Sequence, residues 1–97
     1  MTRSRTETSV VRQLKIKNRL GLHARAAAQF VQTAANYSAD IEVTKEGQTV
    51  NGKSIIGLMM LAAAQGTVIE VSADGPDAEP ALAAIEALIE GKFNEEE

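Results

Sequence analysis

Val10, Leu14 and Ile16 fall on one side of an alternating run, and Val11, Gln13, Lys15 and Lys17 on the other. That period of two predicts a half-buried strand over Val10 to Lys17. Arg12 interrupts the inward set, which puts the strand's first residues near its open end. From Ala24 to Asn36 the period changes. Ala27, Phe30, Val31 and Ala34 recur at three- and four-residue spacing in an alanine-rich run, so a helix is expected, with Asn36 as its terminator. Alternation returns over Ala39 to Lys45, with Ile41 and Val43 inward. Lys45-Glu46-Gly47-Gln48 has the composition of a hairpin turn, and Gln48 to Asn51 forms a short return strand with Val50 inward. Ser54 is placed to cap a second helix, Ile55 to Gln65, which Gly66 ends. Thr67 to Ala73 alternates again, with Ile69 and Val71 inward. Asp77 is placed to cap a third helix, tolerant of Pro80 in its first turn. Its stripe is Ala81, Leu82, Ile85, Leu88 and Ile89, and Gly91 ends it. The order is βαββαβα, an α+β arrangement with the helices on one side of a largely antiparallel sheet.

The second helix breaks the amphipathic rule. Ile55, Ile56, Leu58, Met59, Met60 and Leu61 cannot all face one small core. A domain of this size has little room to bury a helix on every side. Part of it is therefore expected to be an exposed apolar patch, of the kind that marks a partner surface, with methionines suited to adaptable packing. The domain is expected over residues 10–93, between a flexible extension at 1–9 and a solvated acidic tail at 94–97.

Composition narrows the function. The chain has 97 residues, 44% hydrophobic but only 3% aromatic, so one domain with a core of Ala, Val, Ile and Leu is expected. A net charge of −3 argues against a nucleic-acid partner. The absence of cysteine excludes disulfides, thiolate zinc sites and cysteine nucleophiles, and a single histidine disfavours a histidine metal cluster. No metal and no cofactor are expected. No apolar run approaches the ~20 residues of a membrane span, and no signal-type segment opens the chain. A cytoplasmic monomer without membrane insertion is the expectation.

The lone histidine stands in Leu20-Gly21-Leu22-His23-Ala24-Arg25, directly before the first helix. A helix N-terminus leaves backbone N–H groups unpaired and carries the positive end of the dipole. Both disfavour an imidazolium, so a neutral ring with a free lone pair is expected there, able to attack phosphorus. The phosphoryl group it then carries is an anion at an anion-binding helix end, where Arg25 can add a guanidinium. No acid or base is visible beside His23 to activate water, which favours transient phosphorylation over hydrolysis. The competing reading is a polar loop residue that merely precedes a helix. A second motif, Gly47-Gln48-Thr49-Val50-Asn51-Gly52-Lys53-Ser54, matches a nucleotide P-loop. It is discounted because Thr49-Val50 supports a hairpin strand where a P-loop must stay open. The chain is also too short for the parallel sheet that a P-loop serves.

Gly21-Leu22-His23-Ala24-Arg25, followed by Ala27-Ala28-Gln29-Phe30-Val31, resembles the active-site segment of the HPr family, the histidine-containing phosphocarriers of the bacterial phosphotransferase system. Lys53-Ser54-Ile55-Ile56-Gly57, with Met59 and Leu61, resembles that family's regulatory-serine segment, and the similarity runs from about Val10 to Ile89. The resemblance implies an open-faced β-sandwich, a four-stranded antiparallel sheet with three helices on one face. It implies that His23 takes a phosphoryl group on Nδ1 from Enzyme I and passes it to IIA-type proteins or domains, acting as a carrier rather than an autonomous catalyst. It implies phosphate stabilisation by Arg25, phosphorylation of Ser54 by HPr kinase/phosphorylase, and partner docking on Ile55, Ile56 and Met59. Two positions depart from the family pattern. Ala26 replaces a proline, and Leu20 stands where sugar-type members often have asparagine. Asn18-Arg19-Leu20-Gly21 and the ending Gly91-Lys92-Phe93 lean toward the nitrogen-related branch, NPr. Lys53-Ser54 leans the other way, and the two branches stay open. A regulatory binding module in which His23 is never phosphorylated is the alternative from another class.

Overall fold

The computed structural model describes residues 9–95. The expected flexible extension at 1–9 lies outside them except for Ser9, as do Glu96 and Glu97 of the expected tail. Four strands and three helices alternate as β1 (Ser9–Lys15), α1 (Ala24–Ala34), β2 (Asp40–Lys45), β3 (Gln48–Asn51), α2 (Ile55–Leu61), β4 (Val68–Asp74) and α3 (Ala78–Glu90). A one-turn 3-10 segment, Lys92–Asn94, follows. The sheet order is β1-β4-β2-β3 and every pairing is antiparallel. Leu14 of β1 lies opposite Ile69 of β4, and Val43 of β2 opposite both Val71 of β4 and Val50 of β3. One face of the sheet thus carries Leu14, Ile41, Val43, Ile69, Val71 and Ala73, all buried. The three helices pack on that face. Ala26, Ala27, Phe30 and Ala34 are the fully buried stripe of α1, which packs against α2 and α3. The other face of the sheet, with Glu42, Thr44, Glu70 and Ser72, borders an open concavity.

Several expectations change in detail. Arg12 does not mark an open strand end. It sits on an edge strand, where its guanidinium reaches Glu79 and Glu86 of α3, each at 3.0 Å. The stem lies along the core face and the charge escapes at the sheet margin. Asp77 precedes α3 but does not cap it with its side chain. Its carboxylate instead accepts the Ser38 N–H at 2.8 Å and the Ala39 N–H at 2.9 Å. Val50 is only half-buried, because β3 is the other edge strand. The second helix ends at Leu61 rather than Gln65. Ala62 turns left-handed with φ 52°, and Lys45 Nζ donates to the Leu61 carbonyl at 2.9 Å. The backbone that leaves the helix is committed to another contact, described next.

Candidate functional site

The loop between β1 and α1 is held from below. Gly21 has φ +69°, and a Cβ added there would lie 2.4 Å from the Ala63 carbonyl oxygen. Only glycine satisfies both the backbone conformation and the close approach. The next N–H, from Leu22, donates to that same carbonyl at 2.9 Å. This explains the short second helix: residues 62–64 leave it to support the loop before His23. Leu22 is buried and pins the loop. Asn18, fully buried, donates from Nδ2 to the Gly21 carbonyl at 2.8 Å.

His23 is thereby delivered to the N-cap position of α1 with extended backbone, φ −73° and ψ 179°. Its carbonyl accepts the Ala27 N–H at 2.8 Å, while its side chain does not cap the helix and is left for other work. No acidic residue stands in the first turn of α1. The ring is 28% exposed. Its Nε2 lies 2.6 Å from Oε2 of Glu95. The expectation that no acid or base stands beside His23 is therefore wrong, and the tail is not solvated at Glu95, whose side chain is only 10% exposed. Partial burial pushes the Glu95 carboxyl up. Hydrogen bonds from His23 and Asn18, the charge of the ring and the Leu20 N–H outweigh it, so Glu95 sits below the ordinary carboxylate value. Asn18 Nδ2 reaches the same Oε2 at 2.8 Å.

Glu95 escaped sequence reasoning because it meets Asn18 from 77 residues away and His23 from 72. Asn18 lies beside the histidine in sequence, but its role depends on that distant partner. The signal that was available is Phe93, an apolar residue just beyond the Gly91 helix stop. Phe93 is buried, which brings the chain back to the core and Glu95 to the histidine.

Arg25 is exposed in the first turn of α1 and makes no hydrogen bond or ion pair with a described side chain. Ser54 stands at the N-cap of α2 as expected, and its Oγ accepts the Gly57 N–H at 3.0 Å. Ile55, Ile56, Met59 and Met60 are exposed on α2, Ile56 at 72%, and Leu20 is exposed on the histidine loop. A shallow groove of about 290 Å³ joins the two, lined by Leu20, Leu22, His23, Met59 and Ala62, Ala63 and Ala64. The larger concavity on the uncovered sheet face has a polar lining without a histidine. In the P-loop-like segment the last three amides are already engaged. The N–H groups of Gly52, Lys53 and Ser54 bond to the Ile41 carbonyl, Asn51 Oδ1 and the Asn51 carbonyl. Among the described residues no group of His, Asp and Glu side chains could hold a metal ion. No helix there is long and apolar enough to cross a membrane.

An ionised carboxylate can only accept, so Nε2 is the donor in this contact and Nδ1 is the other ring nitrogen, at the N-terminal end of a helix. The family model for the PTS HPr component phosphorylation site matches residues 10–91. The chain belongs to the HPr family. Phosphocarrier protein HPr of Neisseria meningitidis serogroup A is 55% identical over 84 residues, which cover 87% of this chain and 94% of that protein. HPr of Xylella fastidiosa strain Temecula1 is 48% identical over 84 residues, with the same two coverages of 87% and 94%. The crystal structure of HPr-C-His from Thermoanaerobacter tengcongensis matches with a TM-score of 0.87 at 50% identity, covering 91% of this chain and 99% of that one. The open-faced β-sandwich of HPr, four antiparallel strands with three helices, is the fold of this chain. It is a phosphocarrier of the phosphotransferase-system type.

Proposed function

We propose that His23 accepts a phosphoryl group on Nδ1 from phosphorylated Enzyme I and hands it to a IIA-type protein or domain in the cytoplasm. The observation that carries this reading is the N-cap placement of His23. Its ring is tethered through Nε2 at 2.6 Å, so Nδ1 is the nitrogen left for phosphorus. The first-turn amides of α1 and the Arg25 guanidinium are the donors for the phosphoryl oxygens. Ala26 keeps an amide N–H that the family's usual proline lacks, which adds one donor to that turn. Ile55, Ile56 and Met59 form the docking surface, and the groove beside His23 connects them to the reacting nitrogen. Both donor and acceptor proteins meet the same surface, as a carrier requires.

Ser54 is the regulatory position in this reading, phosphorylated by HPr kinase/phosphorylase. Its Oγ already caps α2. A phosphate there is favourable to the helix and sets a dianion beside the apolar patch, where it repels acidic partners.

The test is incubation with Enzyme I and phosphoenolpyruvate. Acid-labile, alkali-stable phosphate is expected on the protein, and none on a His23→Ala variant. A His23→Ala variant that still accepts phosphate would overturn the assignment. A variant fully functional in cells would favour the non-phosphorylated binding module.

A further inference from the structure

Glu95 reaches His23 by an unusual route. After Gly91 ends α3, three successive residues that are not glycine, Lys92, Phe93 and Asn94, hold φ values of 58°, 54° and 61°. Left-handed backbone at three such residues in a row is rare and persists only where the surroundings over-determine it. Here the anchors are Phe93, buried in the core, and the carboxylate of Glu95, which takes hydrogen bonds from Asn18, Leu20 and His23. The Asn18 amide is oriented without ambiguity. Its Nδ2 faces two acceptors, the Gly21 carbonyl and Glu95 Oε2, and the flipped amide would set oxygen against both. Asn18 thus fixes Glu95 as Glu95 fixes the ring.

The 2.6 Å separation is a short hydrogen bond, and an ionised carboxylate has no proton to give. Nε2 therefore carries the hydrogen, and the lone pair of the neutral ring lies on Nδ1. We propose that Glu95 is a positioning residue that fixes the tautomer of His23, making Nδ1 the nucleophile, and that it then stabilises the charged ring of the phosphorylated form. The proposal deepens the phosphocarrier reading and rests on it. In the accepting step the Nδ1 lone pair forms the N–P bond. The bond from phosphorus to the donor's nitrogen breaks, its electron pair staying with the donor. The ring becomes a phosphoimidazolium whose Nε2–H faces the Glu95 carboxylate, and no other proton has to move. Delivery is the reverse: the acceptor's lone pair takes phosphorus, and the N–P electron pair returns to Nδ1. The charged residues nearest in the fold are Glu95 from the C-terminal segment, which meets the ring, and, by their place in the chain, Arg25 of α1 and Arg19 of the histidine loop. Of these, Glu95 is the one hydrogen-bonded to the ring.

The experiment is NMR of the intact, unphosphorylated protein with isotopically labelled histidine, at about pH 8, above the ordinary histidine range. A strongly deshielded ring proton coupled to Nε2 is expected in the parent protein. It should vanish in Glu95→Ala and persist in Glu95→Gln, whose amide oxygen still accepts. Outside residues 18–23, whose backbone and side chains meet Glu95, the amide spectrum should match the parent in both variants, since Glu95 follows the last core residue. Phosphate acceptance from Enzyme I should slow roughly 10- to 100-fold in Glu95→Ala, by analogy with carboxylates that orient metal-bound histidines, with partial rescue in Glu95→Gln. A proton found on Nδ1, an Nε2 proton unchanged in Glu95→Ala, or acceptance at the parent rate in that variant would each overturn the proposal. The two readings fail separately. A parent protein with the Nε2 signature that takes no phosphate refutes the carrier and keeps the tautomer control. A parent protein that is phosphorylated without the signature does the opposite.

Discussion

At the scale of single residues, the site depends on one glycine as much as on its histidine. Gly21 sits at φ +69° with the Ala63 carbonyl where a Cβ would go. In Gly21→Ala the backbone strain and the collision with main chain act together. A loss of about 1–3 kcal/mol is expected, read from the urea midpoint at unchanged slope. Phosphate acceptance should slow with it, because the Leu22–Ala63 hydrogen bond that carries His23 into place is displaced. A Gly21→Ala protein as stable as the parent would show that the loop is not held this way. His23 was visible in the sequence because it is the only histidine and precedes an evident helix. Glu95 was not, since nothing along the chain relates residues 72 apart. A run of three glutamates after a helix stop has the composition of a solvated tail. What betrays it is the single phenylalanine between the stop and the acids, an apolar group with no reason to be there unless it is buried.

At the scale of elements, periodicity identified each strand and helix, because a one-sided core imposes either period two or period 3.6 on every segment it touches. The ends were less legible. The second helix was expected to run to Gln65, yet alanines 62–64 serve the histidine loop, and alanine's high helix propensity hides that tertiary demand. The surplus of apolar residues on this helix was legible for the opposite reason: Ile55, Ile56, Leu58, Met59, Met60 and Leu61 exceed what a single face can bury, so part had to be exposed. That excess leads to a prediction separating surface from core. Ile56→Glu, at a position 72% exposed, should change stability by less than about 0.5 kcal/mol. The same substitution should slow transfer both from Enzyme I and to the acceptor, since one face serves both encounters. Equal transfer rates for the variant and the parent would remove α2 from the docking surface. Ser54 meanwhile shows a residue whose structural role was readable and whose regulatory role rests on resemblance: its hydroxyl caps the helix.

At the scale of the whole molecule, the sheet order β1-β4-β2-β3 leaves the turn between α1 and β2 to be fastened to the start of α3. Asp77 does this. The Ser38 N–H lowers its pKa most; partial burial opposes, and the Ala39 N–H, its own backbone N–H and the Ser38 hydroxyl lower it further. The net direction is downward from the ordinary carboxylate value, as it is for Glu95. A carboxyl lowered by folding releases its proton more readily in the native state than in the unfolded chain. Its contribution to stability is therefore complete above the unfolded value of about 4 and is lost as pH falls from there through the lower native value. Stability measured by urea unfolding should accordingly fall on the acid side, with no counterpart from these two groups above neutrality. In Asp77→Ala the protein should be less stable than the parent at neutral pH, and its acid limb should be shallower, so that the gap between the two curves narrows as pH drops below about 4. Two curves that stay parallel from neutrality into acid would mean that the Asp77 charge does not fasten the turn. A gap that widens toward acid would mean that the sign of its shift is reversed.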